Sequence, residues 1–260
     1  MTNKPVALAI CGALGRMGSR ISALAAESPE QFRLVAAIDR LPPGSSETAP
    51  GVQSELPAGV DVLIDFSAPV ATRAMIASCV KRKTAMVIGT TGLNAADHAL
   101  IDEAAKSIPI LQAANTSVGV NVLLATVAQC ARQLGDAYDI EIVEAHHNQK
   151  KDSPSGTALL LAQAICEATG RDIDSTLVHG RHGGDTLRKA GTIGMHAVRM
   201  GDVVGEHTVY FAAQGERIEV KHTASTRDTF ARGALRAAEY VVGKKPGRYT
   251  MRDVLGLPGH

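Results

Sequence analysis

The sequence predicts an α/β protein with a doubly wound parallel sheet, followed by a second domain of α+β type with a mainly antiparallel sheet. Three observations predict it. Short apolar runs alternate with helical patterns through the first 115 or so residues. A glycine turn joins the first run to the first helix. Near Ser117 the texture changes to a long helical pattern and then to glycine-punctuated strands.

The apolar runs fall at 6–10, 34–39, 62–66, 85–89 and 109–113, and the helical patterns at 16–27, 70–81 and 95–106. Continuous apolar runs separated by helices mean parallel strands buried on both faces. Residues 41–59 are rich in Pro, Gly and Ser; the alternation resumes after them, so they read as a loop and not as a linker. Beyond Ser117 come a helix over 118–134, a strand over 140–145, a polar stretch over 146–154 and a helix from Ser155 to Thr169. A strand-like region over 192–224 follows, and a last helix over 229–242. The domain boundaries expected are 1–117, 118–227 and a C-terminal segment, 228–260.

Bulk properties exclude several classes. The 260 residues are 45% hydrophobic and carry 27 basic against 26 acidic groups, a net charge of +1, so there is no electrostatic footprint for nucleic acid. Trp is absent, which argues against base-stacking platforms. Cys11, Cys79, Cys130 and Cys166 form no C-x-x-C pair and lie in apolar stretches, as reduced thiols of a cytoplasmic protein do. The apolar start of the chain faintly resembles a signal peptide, but Arg16 closes it too early, and no run is long enough to span a bilayer.

Gly12, Gly15 and Gly18 follow the first strand in the pattern G-x-x-G-x-x-G and open the first helix. Such a turn admits a pyrophosphate close to the backbone, and the helix N-terminus offers it N–H groups and a positive dipole end. An acidic residue, Asp39, closes the second strand about 20 positions on, where a carboxylate binds the adenosine ribose of a dinucleotide. Arg40 next to it is suited to a 2′-phosphate, or else is solvated surface. The pair implies NADH or NADPH with the preference open. Gly89, Thr90, Thr91 and Gly92 end the fourth strand, and Ala113, Ala114, Asn115 and Thr116 end the fifth. These are positions that line the ligand crevice of a doubly wound sheet, although a simple turn also accounts for 89–92.

The richest stretch runs from Glu144 to Thr157. A strand ends in His146 and His147, Lys150 follows, and Ser155, Gly156 and Thr157 cap a helix. Backbone N–H groups at such a cap hold a carboxylate. The histidines and lysines add donors and positive charge, so the stretch suits a small acidic substrate, with His and Lys as candidate general acids. Metal binding by the histidines and Glu144 is not expected, because strand neighbours point to opposite faces and no third ligand has a familiar spacing.

Together these motifs resemble the 4-hydroxy-tetrahydrodipicolinate reductase (dihydrodipicolinate reductase) family over nearly the whole chain. The most specific segment is E-A-H-H-x-x-K-x-D-x-P-S-G-T from Glu144 to Thr157. Supporting segments are A-A-N-x-S-V-G-V-N at 113–121 and R-x-G-D-V-V-G-E-H at 199–207. The resemblance implies catalytic roles for His146 and Lys150 and substrate contacts for His147, Gly156 and Thr157. It implies a cofactor site at Gly12, Ala13, Leu14, Gly15, Arg16, Met17, Asp39, Arg40, Gly89, Thr90, Thr91, Ala113, Ala114, Asn115 and Thr116. It further implies a Rossmann-like dinucleotide-binding domain to which the last segment returns, and a substrate domain that builds a homotetramer through its sheet. The activity implied is NAD(P)H-dependent reduction of a cyclic imine dicarboxylate in the diaminopimelate route to lysine. Asn148 and Gln149 depart from the basic residues common in the family, and Thr116 from an aromatic. The rivals are another two-domain amino-acid dehydrogenase and a non-catalytic dinucleotide-binding regulator; neither needs the His-His-x-x-Lys arrangement beside a Ser-Gly-Thr cap.

Overall fold

The computed structural model describes residues 4–39 and 52–257. Arg40 lies outside them, as does the segment 41–51. In chain order the elements are β1 (Val6–Cys11), α1 (Arg16–Ala26), β2 (Phe32–Ile38), β3 (Val52–Gln53), β4 (Val62–Asp65) and α2 (Pro69–Arg82). Next come β5 (Ala85–Ile88), α3 (Ala95–Ala105), β6 (Pro109–Gln112), α4 (Val118–Leu134), β7 (Asp139–His146), α5 (Gly156–Thr169), α6 (Ile173–Thr176) and β8 (Leu177–His179). The chain ends with β9 (Ile193–Arg199), β10 (Gly205–Ala213), β11 (Glu216–Ala224), α7 (Asp228–Val241), β12 (Gly247–Tyr249) and α8 (Met251–Leu255). These elements form two compact units, one built from the chain up to Val118 together with Asp228 onward, the other from Gly119–Arg227.

In the first unit seven strands pair in the order β12-β6-β5-β4-β1-β2-β3, every pair parallel. Both faces are buried, as the unbroken apolar runs require. One face packs Leu8, Ile10, Ile64 and Val87 against α1 and α7; the other packs Ala9, Leu63, Met86 and Ile110 against α2 and α3. Strand order reverses at β1, which lies between β2 and β4, so a ligand crevice is expected beyond the carboxyl ends of β1 and β4. Two short strands, β3 and β12, escape the sequence pattern. The expected loop over 41–59 contains β3, because Val52 and Gln53 continue the sheet beside Ala37 and Ile38.

In the second unit five strands take the order β11-β10-β7-β9-β8. β10 is antiparallel to β7 and β11, as the glycine-punctuated pattern predicts, while β9 joins β7 and β8 in parallel, making the sheet mixed. The α5–α6 crossover between β7 and β9 accounts for the parallel pairing. Ile140, Ile142, Val209 and Phe211 pack against Leu123, Val127, Leu161 and Ile165 of α4 and α5. Residues alternate in a strand, so Glu141, Val143, Thr208 and Tyr210 lie on the face turned away from that core. No helix among the described residues is long and apolar enough to cross a membrane.

Candidate active site

At the carboxyl end of β1 the chain turns through Gly12 at a φ of 79°, a left-handed conformation open to glycine. A Cβ on Gly12 would lie 2.4 Å from the Phe66 carbonyl oxygen, and one on Gly18 would lie 2.1 Å from the Gly12 carbonyl oxygen. The turn is therefore as tight as backbone allows, and α1 sits directly on it. α1 begins at Gly15 with no side chain capping its first turn. Its opening N–H groups have no intrahelical acceptor, the arrangement that receives a phosphate. The Leu14 N–H donates to Asp39 Oδ2 at 2.8 Å, which ties the end of β2 to the turn. A cleft of about 1050 Å³ opens here, bounded by Gly12, Leu14, Gly15, Asp39, Ser67 and Val70. The glycine cradle, the uncapped helix start and the neighbouring carboxylate fit a dinucleotide. Leu14, Gly15 and Arg16 are exposed, Met17 is half-buried, and Ala13 is buried.

The other expected cofactor residues follow the carboxyl ends of β5 and β6. The Thr90 hydroxyl accepts from the Ser67 N–H at 3.0 Å, and the wholly buried Asp65 accepts from the Ser67 and Thr72 hydroxyls, both at 2.5 Å. Gly89 lies under the Phe66 ring, whose atoms would stand 2.3 Å from a Cβ there. Thr91 and Ala114 are exposed, and Ala113 is half-buried. Asn115 Oδ1 accepts from the Ser117 N–H at 2.9 Å. Thr116 is buried, its hydroxyl donating to the Phe230 carbonyl of α7 at 2.7 Å. Gly233 of α7 packs against the Thr116 backbone, where a Cβ would lie 1.8 Å from the Thr116 carbonyl oxygen.

The second constellation forms where β7 ends. Glu144 and His146 are two apart, so they share a face. His146 Nδ1 stands 2.6 Å from Glu144 Oε2. Glu144 is fully buried and also accepts from both Arg199 guanidinium nitrogens, at 2.8 and 2.9 Å, and from the Ser155 N–H at 3.0 Å. Burial alone would raise its pKa, but Arg199, His146 and the Ser155 N–H outweigh burial and hold it below the usual carboxylate range. Arg199 donates a further bond to the Asp152 carbonyl at 2.8 Å, which secures the loop carrying Lys150. Burial holds His146 below the ordinary imidazole value, against the pull of Glu144, so the ring is neutral at neutral pH.

Ser155 caps α5, its hydroxyl accepting from the Ala158 N–H at 3.2 Å. Gly156 is exposed and Thr157 half-buried in the first turn. His207, opposite Glu144 in the β7–β10 register, places Nε2 3.0 Å from the Ser155 hydroxyl and its ring against His146, with centroids 5.2 Å apart. Lys150 is mostly buried and pairs through Nζ with Asp152 at 2.9 Å. His147 is half-buried, Asn148 and Gln149 are exposed, and Met200 N–H donates to the His146 carbonyl at 2.9 Å. The structure therefore brings His146, Lys150 and the α5 cap into one locality of the second unit. It adds Glu144, Arg199 and His207, which the sequence reading had not assigned roles. The signal for Glu144 was its i,i+2 spacing to His146; Arg199 and His207 arrive through strand pairing.

The parallel sheet and its glycine turn define a dinucleotide-dependent oxidoreductase. Models of the dihydrodipicolinate reductase N-terminus and C-terminus match residues 6–116 and 119–255. A 4-hydroxy-tetrahydrodipicolinate reductase of Alkalilimnicola ehrlichii is 48% identical, covering 96% of this chain and 98% of its own. One of Geobacter metallireducens is 46% identical, covering 97% and 99%. The structure of a dipicolinate-bound dihydrodipicolinate reductase from Paenisporosarcina sp. TG-14 superposes with a TM-score of 0.75 at 23% identity, covering 95% of this chain and 97% of that one. The chain belongs to the dihydrodipicolinate reductase family.

Proposed function

We propose that the chain reduces 4-hydroxy-tetrahydrodipicolinate, by way of dihydrodipicolinate, to tetrahydrodipicolinate in the diaminopimelate route to lysine. The observation that carries this reading is the gathering of His146 and the Ser155-capped start of α5 around one buried carboxylate, Glu144, with Lys150 near His146. Bound NADH or NADPH supplies the hydride. The first unit is the dinucleotide-binding domain. Gly12 to Met17 receive the pyrophosphate, Asp39 addresses the adenosine ribose, and Arg40, outside the described residues, addresses a 2′-phosphate. Residues 89–91 and 113–116 shape the nicotinamide end.

The second unit binds substrate. Gly156 and Thr157, at the positive end of α5, hold one ring carboxylate, and His147 supports the other. Lys150 holds the proton that the ring must gain after hydride addition, with Asp152 keeping its ammonium in place. The sheet face bearing Val143, Thr208 and Tyr210, turned away from the helix-packed core, is the face through which four copies assemble, and the enzyme works in the cytoplasm. The test is dinucleotide oxidation with freshly prepared 4-hydroxy-tetrahydrodipicolinate. Oxidation that requires the substrate and yields tetrahydrodipicolinate is the expected result. Absence of oxidation by protein that binds NADH would overturn the assignment.

A further inference from the structure

Every acceptor position of the Glu144 carboxylate is filled by a donor. Oε1 receives the Ser155 N–H at 3.0 Å and one Arg199 nitrogen at 2.9 Å; Oε2 receives the other Arg199 nitrogen at 2.8 Å and faces His146 Nδ1 at 2.6 Å. A carboxylate already bound by a guanidinium has no proton to give. If Nδ1 were the unprotonated nitrogen, two lone pairs would face each other at 2.6 Å. The proton therefore sits on Nδ1, and the lone pair on Nε2. The space beside Nε2 is kept open by Gly205, where a Cβ would lie 3.1 Å from that atom. The remaining titratable or charged groups around the ring are His207, stacked edge-on from β10, and Lys150 and Arg199, which disfavour a second proton on it.

We propose that Glu144 is a positioning residue that fixes His146 in the Nδ1–H tautomer, so that His146 meets the substrate as a hydrogen-bond acceptor through Nε2 and leaves proton donation to Lys150. Arg199 is the anchor that keeps Glu144 ionised, and Gly205 is the access residue in front of Nε2. The same carboxylate fixes the Ser155 N–H, so one buried group sets both the acceptor and the anion-binding helix start. This rests on the reading that His146 acts on the substrate.

The test is nitrogen–proton correlation spectroscopy of the wild-type protein carrying isotope-labelled histidine, with the His146 signals assigned by their loss in His146→Gln. Nδ1 protonated and Nε2 bare at neutral pH is the expected result; a proton on Nε2, or on both nitrogens, overturns the proposal. Glu144→Gln sharpens it. Two donors, the Ser155 N–H and one Arg199 nitrogen, need an oxygen at the Oε1 position, and a single Arg199 nitrogen needs one at Oε2. The amide nitrogen of glutamine therefore takes the Oε2 place, faces His146 and drives the proton to Nε2. That change should lower turnover by on the order of 10²-fold or more, as wrong tautomers do, with NADH affinity retained as the sign of a folded protein. An unshifted tautomer, or a shifted one with wild-type turnover, contradicts it. Gly205→Ala should leave the tautomer unchanged and lower kcat/KM by about tenfold, the loss of one oriented hydrogen bond; wild-type kcat/KM there would remove Gly205 from the account. Because the tautomer is read without substrate, a failed reductase assay with the expected tautomer would count against the function and not against this arrangement.

Discussion

Two helix starts in this molecule are suited to anions, and they are built in opposite ways. α1 opens on bare backbone: Gly15 offers no capping side chain, and the fit depends on the absence of Cβ atoms at Gly12 and Gly18. α5 opens on side chains: Ser155 caps it, and Glu144, Arg199, His146 and His207 brace it from the sheet. The first arrangement leaves backbone N–H groups uncapped, which suits a large anion. The second turns its polar groups on one another around a neutral imidazole. Steric room characterises the one helix start and a buried polar network the other.

The comparison breaks most visibly at Lys150. Lys150→Ala should cut turnover by roughly 10²–10⁴-fold, the usual contribution of a general acid. Lys151→Ala should stay within about a few-fold, because the neighbouring side chain is exposed. Steady-state kinetics on both variants checks this, and near-normal turnover in Lys150→Ala would move the proton donor elsewhere.

The polar network of the α5 start has a pH signature that the α1 start lacks. Burial depresses His207 to about 4, from an ordinary value of 6.5. On acidification the unfolded chain takes up this proton first, so stability is complete above pH 6.5 and is lost progressively as pH falls toward 4. The loss is about 3 kcal/mol from this residue. Glu144, held low by its partners, adds to the loss at still lower pH. Denaturant titrations across pH 4–7 should show the decline, and His207→Gln should flatten it; an equal slope in the variant would remove His207 as its source.

At the α1 start the corresponding break is steric. Gly18→Ala should destabilise the protein by about 1–3 kcal/mol through overpacking and should weaken NADH, since α1 must move off the turn. Calorimetry with NADH titration reads both, and a stable variant with normal affinity would contradict the close approach. Smaller effects are expected from the ligand contacts themselves. His147→Ala and Thr157→Ala should raise KM by about tenfold with turnover nearly kept, the mark of binding shared by ground and transition states; a loss confined to turnover would reverse that role.

The two sites were unequally legible in the sequence. The α1 site could be read because its parts are contiguous and its logic is local: a buried run, three glycines, a helix, then Asp39 at the end of the next strand. At the second site the contiguous part, His146 to Thr157, was equally plain. The brace was not, because Arg199 reaches Glu144 only through the β7–β9 register and His207 only through β7–β10, pairings more than 50 residues apart in the chain. Periodicity cannot supply a register. The mixed character of the second sheet was hidden for the same reason, and β3 and β12 are too short to carry a pattern of their own. Thr116, a departure from the family's aromatic in the sequence, is in the fold a buried tie to α7.

The division of labour between the two helix starts is tested most directly by titrating NADH, followed by its fluorescence, into Lys150→Ala. Lys150 lies in the second unit and the glycine turn in the first. The account predicts a dissociation constant within about twofold of wild type, less than 0.5 kcal/mol of binding energy, in a protein whose turnover has collapsed. A tenfold or greater loss of NADH affinity would contradict it, placing Lys150 in the cofactor site.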